Sequence, residues 1–394
     1  MKLISFCGKI ALLCIGIVSL LACSKISHND IRLEDSIRTP QTGGPANDTL
    51  SRTVLFGNEM NGINFFRIPG LAKTKAGTLI AVADARMNSN DDLPNNIDCI
   101  IRRSTDNGKT WSNIQTVLDM GQDGVSDPSI LVDKTTDTVW IFLNYGKGVG
   151  ISNSQVGYVD STIHVLAIKS GDDGRTWTAP VDITTQVKAS DWKYVISSPG
   201  HGIQLKDGTL VQTGYYSVPT SANPRAFAYY SQDHGRTWKR TPPVAQRVTE
   251  GMAVQLENGS IMLNMRSQVN NTRASSVTTN FTTWSALEYN PVLIEPMCQA
   301  SIIKLEHGDA AGKDWLVFGN PASTSRVNYV IRLSKNGGSS WVNALPVWSQ
   351  GSGYSDLVEL ANGDVAVLYE KWGASGSKAL LEFAIVPKTS LIKN

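Results

Sequence analysis

Cysteine is scarce in this 394-residue chain: there are five, and Cys7, Cys14 and Cys23 fall within the first 23 residues. The two that remain, Cys99 and Cys298, are too few for a disulfide framework and lack metal-ligand spacing. They allow one bridge or two unpaired thiols, and two buried thiols are the expectation. Histidine is equally rare, with five residues and no pair spaced for a metal. A Gly-rich phosphate loop and a Ser/His/Asp set are also missing. No metal or cofactor is expected. Charge excess is missing too. The chain has 36 Lys and Arg against 34 Asp and Glu, and residues 1–22 hold two of the bases and no acid, leaving 34 against 34. A neutral body argues against general affinity for nucleic acid.

A long apolar run is absent as well. Residues 10–22 are apolar but too short to span a bilayer comfortably, and Lys2 and Lys9 flank them. The stretch ends Leu20-Leu21-Ala22-Cys23. Small residues before a Cys at the end of a signal segment resemble a bacterial lipobox, which makes Cys23 the lipidated residue. An ordinary signal peptide containing a cysteine is the plainer alternative. Residues 24–51 are polar, with Pro40, Gly43, Gly44 and Pro45, and read as a tether. The expected organisation is a lipoprotein signal at 1–23, a tether at 24–51 and one domain at 52–394. It places the protein in the bacterial cell envelope, periplasmic or at the cell surface, touching the membrane only through its lipid.

What the chain does have is a repeat. The pattern Ser-x-Asp-x-Gly-x-Thr-Trp occurs at 104–111, 170–177 and 231–238. A fourth copy at 334–341 carries Asn336 for Asp and Ser340 for Thr, and a worn copy ends at Trp284. Asp and Asn bond nearby backbone amides in turns, Gly supplies a positive φ, and Trp plugs the space beside the turn. Each copy follows an apolar strand such as 163–168 or 226–230, so the boxes read as structural hairpin turns. Pairing each box strand with the apolar strand before it gives six units of about four short strands. The expected fold is all-β, a six-bladed β-propeller.

Candidate chemistry is spread between the boxes. In Phe65-Phe66-Arg67-Ile68-Pro69-Gly70 an arginine sits among apolar residues before a proline, which suits a structural salt bridge as well as a ligand. Arg86 ends the run Ala83-Asp84-Ala85-Arg86 at a strand end, where a surface arginine is also ordinary. Asp91 and Asp92 share a polar loop, and Asp127 precedes Pro128 as many turn formers do. Glu250 precedes one strand, Arg266 ends the next, Arg326 and Arg332 follow, Tyr354 precedes another strand, and Glu370 ends the last pair.

Arg-Ile-Pro near the start followed by Asp boxes resembles the bacterial sialidases (neuraminidases), and the resemblance covers nearly all of the domain. It implies that Arg67, Arg266 and Arg326 clamp a substrate carboxylate, with Arg332 the competing third member. Arg86 and Asp127 line the pocket near the sugar's O4 or N-acetyl group. Asp92, chosen over Asp91 because it precedes Leu93-Pro94, is the acid/base. Glu250 is the base, Tyr354 the nucleophile, and Glu370 braces Arg67. Gly202, in Ser198-Pro199-Gly200-His201-Gly202, lets backbone approach the sugar, and His201 is given no catalytic part. These residues would stand on loops at one mouth of the propeller. The implied function is that of a retaining exo-α-sialidase acting as a monomer on sialylated glycans. Transfer to another sugar, an anhydro product, and a non-catalytic glycan-binding propeller are the alternatives.

Overall fold

Runs of alternating apolar residues punctuated by Asp-Gly and Asn-Gly turns give the computed structural model its antiparallel strands, with a short parallel pair of Gly200–His201 on Ser129 and Ile130. It describes residues 50–57, 60–307, 314–342, 344–373 and 379–393. All lie in one unit, residues 42–394. The signal and almost all of the tether lie outside the described residues. Ser51, the last residue of the expected tether, instead opens the strand Ser51–Phe56, and Leu50 before it is buried. That first strand pairs with Leu380–Val386 near the other end of the chain, which closes the structure.

The fold is an all-β propeller. Among the described residues, five sheets carry seven, six, five, four and four strands. The seven-stranded sheet is continuous because the long strand Leu345–Glu359 serves two neighbours. Its first part pairs with Val327–Ser334, and from Gly351 onward it pairs with Val365–Trp372. The innermost strands form a ring of contacts. Phe65–Lys73 packs on Gly124–Asp133, which touches Ile203–Gln204 and Leu210–Val218. Val248–Gln255, Ser301–Lys304 and Leu345–Glu359 follow, and the last returns to Phe65–Lys73.

The boxes turn between the two outer strands of a sheet, as expected, but their bonding differs from a simple two-residue turn. Ser104 Oγ accepts from the Gly108 amide at 2.8 Å, while Asp106 accepts from the Thr110 amide and hydroxyl, four residues on, at 2.9 and 2.6 Å. The copies at 170–177 and 231–238 repeat these bonds. Each box glycine has a positive φ and lies against the neighbouring sheet: a Cβ on Gly108 would stand 2.5 Å from Phe383, and on Gly235 2.4 Å from Trp140. Trp111 meets Phe383 edge-on at 5.1 Å, and Trp238 meets Phe142 at 5.1 Å. The worn copy is one residue shorter. There Asn280 takes the Asp position, accepting from Thr282 and Thr283, and Phe281 takes the left-handed position.

Four inner strands are interrupted at the same level. Register slips by one residue at Arg67/Gly70, Ser126/Ser129, Val248/Gly251 and Ser352/Ser355. Each is a β-bulge, a device that re-aims side chains beside functional sites. Cavities open at both ends of these strands. Arg67, Glu250 and Tyr354 line one, of about 380 Å³. Leu71, Val254 and Leu357 line the other, of about 690 Å³.

Candidate active site

The bulges carry three of the candidate side chains. Phe65–Lys73 carries Arg67 at its bulge, with the next residue, Ile68, at φ 57°. Val248–Gln255 carries Glu250, and Leu345–Glu359 carries Tyr354. Asp127 also sits in a bulge, at φ 54°. A β-branched or acidic residue in the left-handed region is uncommon, and such strain gathers at functional sites. The expectation that the set stands on loops therefore fails for most of it. Only Asp92 and Arg326 lie outside strands. Strands give a stiffer mount than loops, and the bulge supplies the change of direction a loop would otherwise provide.

Tyr354 Oη donates to Glu250 Oε1 at 2.5 Å, and the tyrosine is 7% exposed. Glu250 Oε2 accepts from Arg266 Nη1 at 3.1 Å, and the same nitrogen lies 3.3 Å from Tyr354 Oη. Burial, reinforced by the Glu250 carboxylate, pushes the Tyr354 phenol well above its ordinary range. The Arg67 and Arg326 guanidinium carbons stand 5.7 and 5.4 Å from the Tyr354 ring centre. Arg67 is anchored by Nε donating to Glu370 Oε1 at 2.7 Å. Glu370 also accepts from the Ile68 and Tyr354 amides at 3.0 Å each. Burial alone would raise the Glu370 carboxyl, but Arg67 and these amides hold it below its ordinary value. The carboxylate thus ties the strand carrying the first arginine to the strand carrying the tyrosine.

Arg67, Arg266 and Arg326 all line the 380 Å³ cavity with Glu250, Tyr354 and Asp92. Arg266 Nε is buried without a partner among the described residues. Arg332, the competing third arginine, lies inside Val327–Ser334 and does not line the cavity. Asp92 is 79% exposed on its side chain and pairs with Arg86 Nη2 at 2.9 Å. Asp91 bonds its own loop through Ser89 instead. Arg86 has a fully buried side chain and stands behind Asp92 rather than at the cavity surface. Asp127, expected at the pocket wall, does not line the cavity either; it stands beside Asp84 and Asp92, and burial together with those two carboxylates pushes its carboxyl well up.

Some features were missed or misplaced by sequence reasoning. Gly202 lines the opposite, 690 Å³ cavity, as does His201, so no backbone approach to this site occurs there. A Cβ on Gly202 would stand 2.7 Å from Leu131 and 2.8 Å from the Val211 carbonyl, so its smallness serves packing. His201 Nδ1 lies 2.6 Å from Asp356 Oδ1. Tyr194, Tyr215 and Ile151 line the site without having been singled out. Asp84, buried between Arg86 and the Asp127 amide, was also missed. Its spacing of two from Arg86 on one strand put both on one face, and that was the available signal. Cys99 and Cys298 are buried free thiols, as expected, and Cys298 packs against Tyr354.

A cluster of three guanidinium groups around a hydrogen-bonded Tyr–Glu pair can hold a carboxylate and activate a phenol beside it. Comparisons agree on the kind of protein. The BNR repeat-like domain family matches residues 77–367. A sialidase of Bacteroides fragilis is 37% identical over 348 residues, 83% of this chain and 63% of the relative. A sialidase of Micromonospora viridifaciens is 34% identical over 340 residues, 79% of this chain and 51% of the relative. This chain therefore spans less than two thirds of either relative's length. Among solved structures, Hadza microbial sialidase Hz136 superposes with a TM-score of 0.77 at 34% identity, covering 83% of this chain and 66% of that one. On its repeats, its fold and these matches, the chain belongs to the BNR repeat-like domain family, and the relatives it resembles are sialidases.

Proposed function

We propose that this protein is a retaining exo-α-sialidase that removes terminal α-linked sialic acids from glycoconjugates. The observation that carries this is the 2.5 Å bond from Tyr354 to Glu250 beside three arginines. A glycan-binding propeller would need the arginines but not a tyrosine aimed at a buried carboxylate. Sialic acid carries a carboxylate on its anomeric carbon. An anionic nucleophile meets repulsion there, whereas a phenol arrives neutral, and tyrosine nucleophiles are a known exception to the two-carboxylate scheme of glycosidases.

In this mechanism Arg67, Arg266 and Arg326 hold the substrate carboxylate and orient the ring. Glu250 takes the Tyr354 proton as the phenol attacks, since a phenol with a raised pKa does not ionise alone at neutral pH. Asp92 protonates the leaving glycan oxygen and then activates water to release the sugar from the tyrosine. Two displacements give net retention. Asp127 is assigned to a ring substituent on the family resemblance, and Arg86 acts through Asp92.

The ring of inner strands supports a six-bladed count, with the long strand Leu345–Glu359 shared between the fifth and sixth blades. For residues 1–23 we keep the lipoprotein signal and Cys23 anchor, and with them the bacterial envelope location. Incubation with sialyllactose, followed by NMR of the products from the first turnovers, tests the activity. Free α-sialic acid appearing first supports retention and hydrolysis. β-Sialic acid first, an anhydro sugar, or a sialylated acceptor would replace this reading with inversion, internal attack or transfer respectively.

A further inference from the structure

We infer that Asp84 is a positioning residue for the acid/base step, holding Arg86 so that Asp92 keeps its place through both halves of the reaction. This rests on the assignment of Asp92 as acid/base. Asp84 and Arg86 are both fully buried near the end of the strand Leu79–Arg86, two residues apart on one face. Arg86 Nε and Nη2 donate to Asp84 Oδ2 at 3.2 and 2.9 Å. The same Nη2 lies 2.9 Å from Asp92 Oδ1, and Nη1 donates to the Asn90 carbonyl at 2.7 Å. Arg86 therefore grips both the side chain and the backbone of the acid/base loop. The other Asp84 oxygen accepts from the Asp127 amide at 3.1 Å, inside the strained bulge.

Exposure explains why the arrangement is needed. The Asp92 side chain is mostly in solvent, and its ion pair with Arg86 is what fixes its direction. As the acid, Asp92 must be protonated, and a protonated carboxyl no longer holds a guanidinium by charge. A buried arginine dependent on Asp92 alone would lose its partner in half of the catalytic cycle, at high cost. Asp84 supplies a second partner. Burial pushes its carboxyl up to about 7 against the pull of Arg86, and ionised Asp92 adds to the rise, so protonation of Asp92 favours an ionised Asp84 at the point where Arg86 needs it.

The test compares substrates with poor and good leaving groups, because only the poor one needs a well-placed acid. In folded Asp84→Asn, judged by circular dichroism and melting, kcat/KM on sialyllactose falls by about tenfold or more while an activated aryl sialoside loses no more than about threefold. In an Asp92→Ala background the same change costs either substrate less than about twofold further. Equal losses on both substrates, or losses that multiply with Asp92→Ala, overturn the role. If Asp84→Asn does not fold, Arg86→Lys serves instead. It keeps the charge but not the fork that spans Asp84 and Asp92, so the same split is expected and equal losses overturn it. Asp92→Ala alone separates the two assignments. Without a leaving-group split in that variant, the acid/base reading falls and this role for Asp84 falls with it.

Discussion

Tyr354 and Glu250 come from strands more than a hundred positions apart in sequence, yet the phenol and the carboxylate share a hydrogen bond of 2.5 Å. Both residues sit at bulges of inner strands, and both bulges lie at the same end of the propeller. The bond offers the phenol a proton acceptor, and Arg266 touches both partners.

Glu250→Gln removes the base while keeping the shape. Activity should fall by about two or more orders of magnitude on sialyllactose and on an activated aryl sialoside alike, because both require the phenol proton to leave. Asp92→Ala should instead spare the activated substrate. Steady-state kinetics on the two substrates checks both expectations, and a Glu250→Gln enzyme that keeps the activated substrate contradicts the first.

The clamp should act as a unit. Arg67→Ala, Arg266→Ala and Arg326→Ala should each lower kcat/KM by about two to three orders of magnitude, the cost of leaving a desolvated carboxylate short of a partner. Arg332→Ala should lower the melting temperature more than turnover. If Arg332→Ala abolished activity in a folded protein and Arg326→Ala did not, the third clamp position would have to be reassigned.

Much of this was legible in the sequence for definite reasons. The boxes fix strand ends because Ser104, Asp106 and Thr110 bond one another locally, with no tertiary information required. Arg67, Glu250, Arg266, Arg326 and Tyr354 could be picked out because a carboxylate clamp and an activated phenol call for particular residue types, and all five line one cavity. The bulges were hidden, since an extra residue in a strand leaves no compositional mark, and so the site was expected on loops. Gly202 misled because close packing on Leu131 and close approach to a ligand both call for glycine. Asp84 was overlooked because its spacing of two from Arg86 hints at a shared face but nothing nearby in sequence shows that it will also meet the Asp127 amide. The inner contacts between sheets, such as His234 with Asp133 and Asp173 with Thr74 and Thr78, depend on neighbours distant in the chain.

The box aspartates should set part of the acid limit of stability. Hydrogen bonds from Thr110 and Ser104 hold Asp106 down to about 2, against an ordinary 3.8. Thr237 does the same for Asp233, also to about 2. A depressed carboxylate contributes stability above its unfolded value and loses it as pH falls through the folded one. Asn336 bonds the Ser340 amide in the fourth copy, so Asp106→Asn should still fold. The melting-temperature gap between the parent and Asp106→Asn should be widest above about pH 4 and close by about pH 2. A gap independent of pH contradicts the linkage.

The pattern Leu20-Leu21-Ala22-Cys23 leads to an expectation about location. Cys23→Ala should leave the protein absent from washed membrane fractions of the expressing cells. Unchanged membrane association, measured by immunoblot of fractionated cells, removes the lipid anchor.

The central claim is that Tyr354 attacks the anomeric carbon. A fluorinated sialosyl fluoride slows both displacements through the electron-poor transition state, while its good leaving group preserves the first, so the sugar should remain bound to the protein. Peptide mapping by mass spectrometry of the inactivated enzyme should find that sugar on Tyr354, and none in Tyr354→Phe. A label on any other residue, or no label on an enzyme that turns over sialyllactose, contradicts the account.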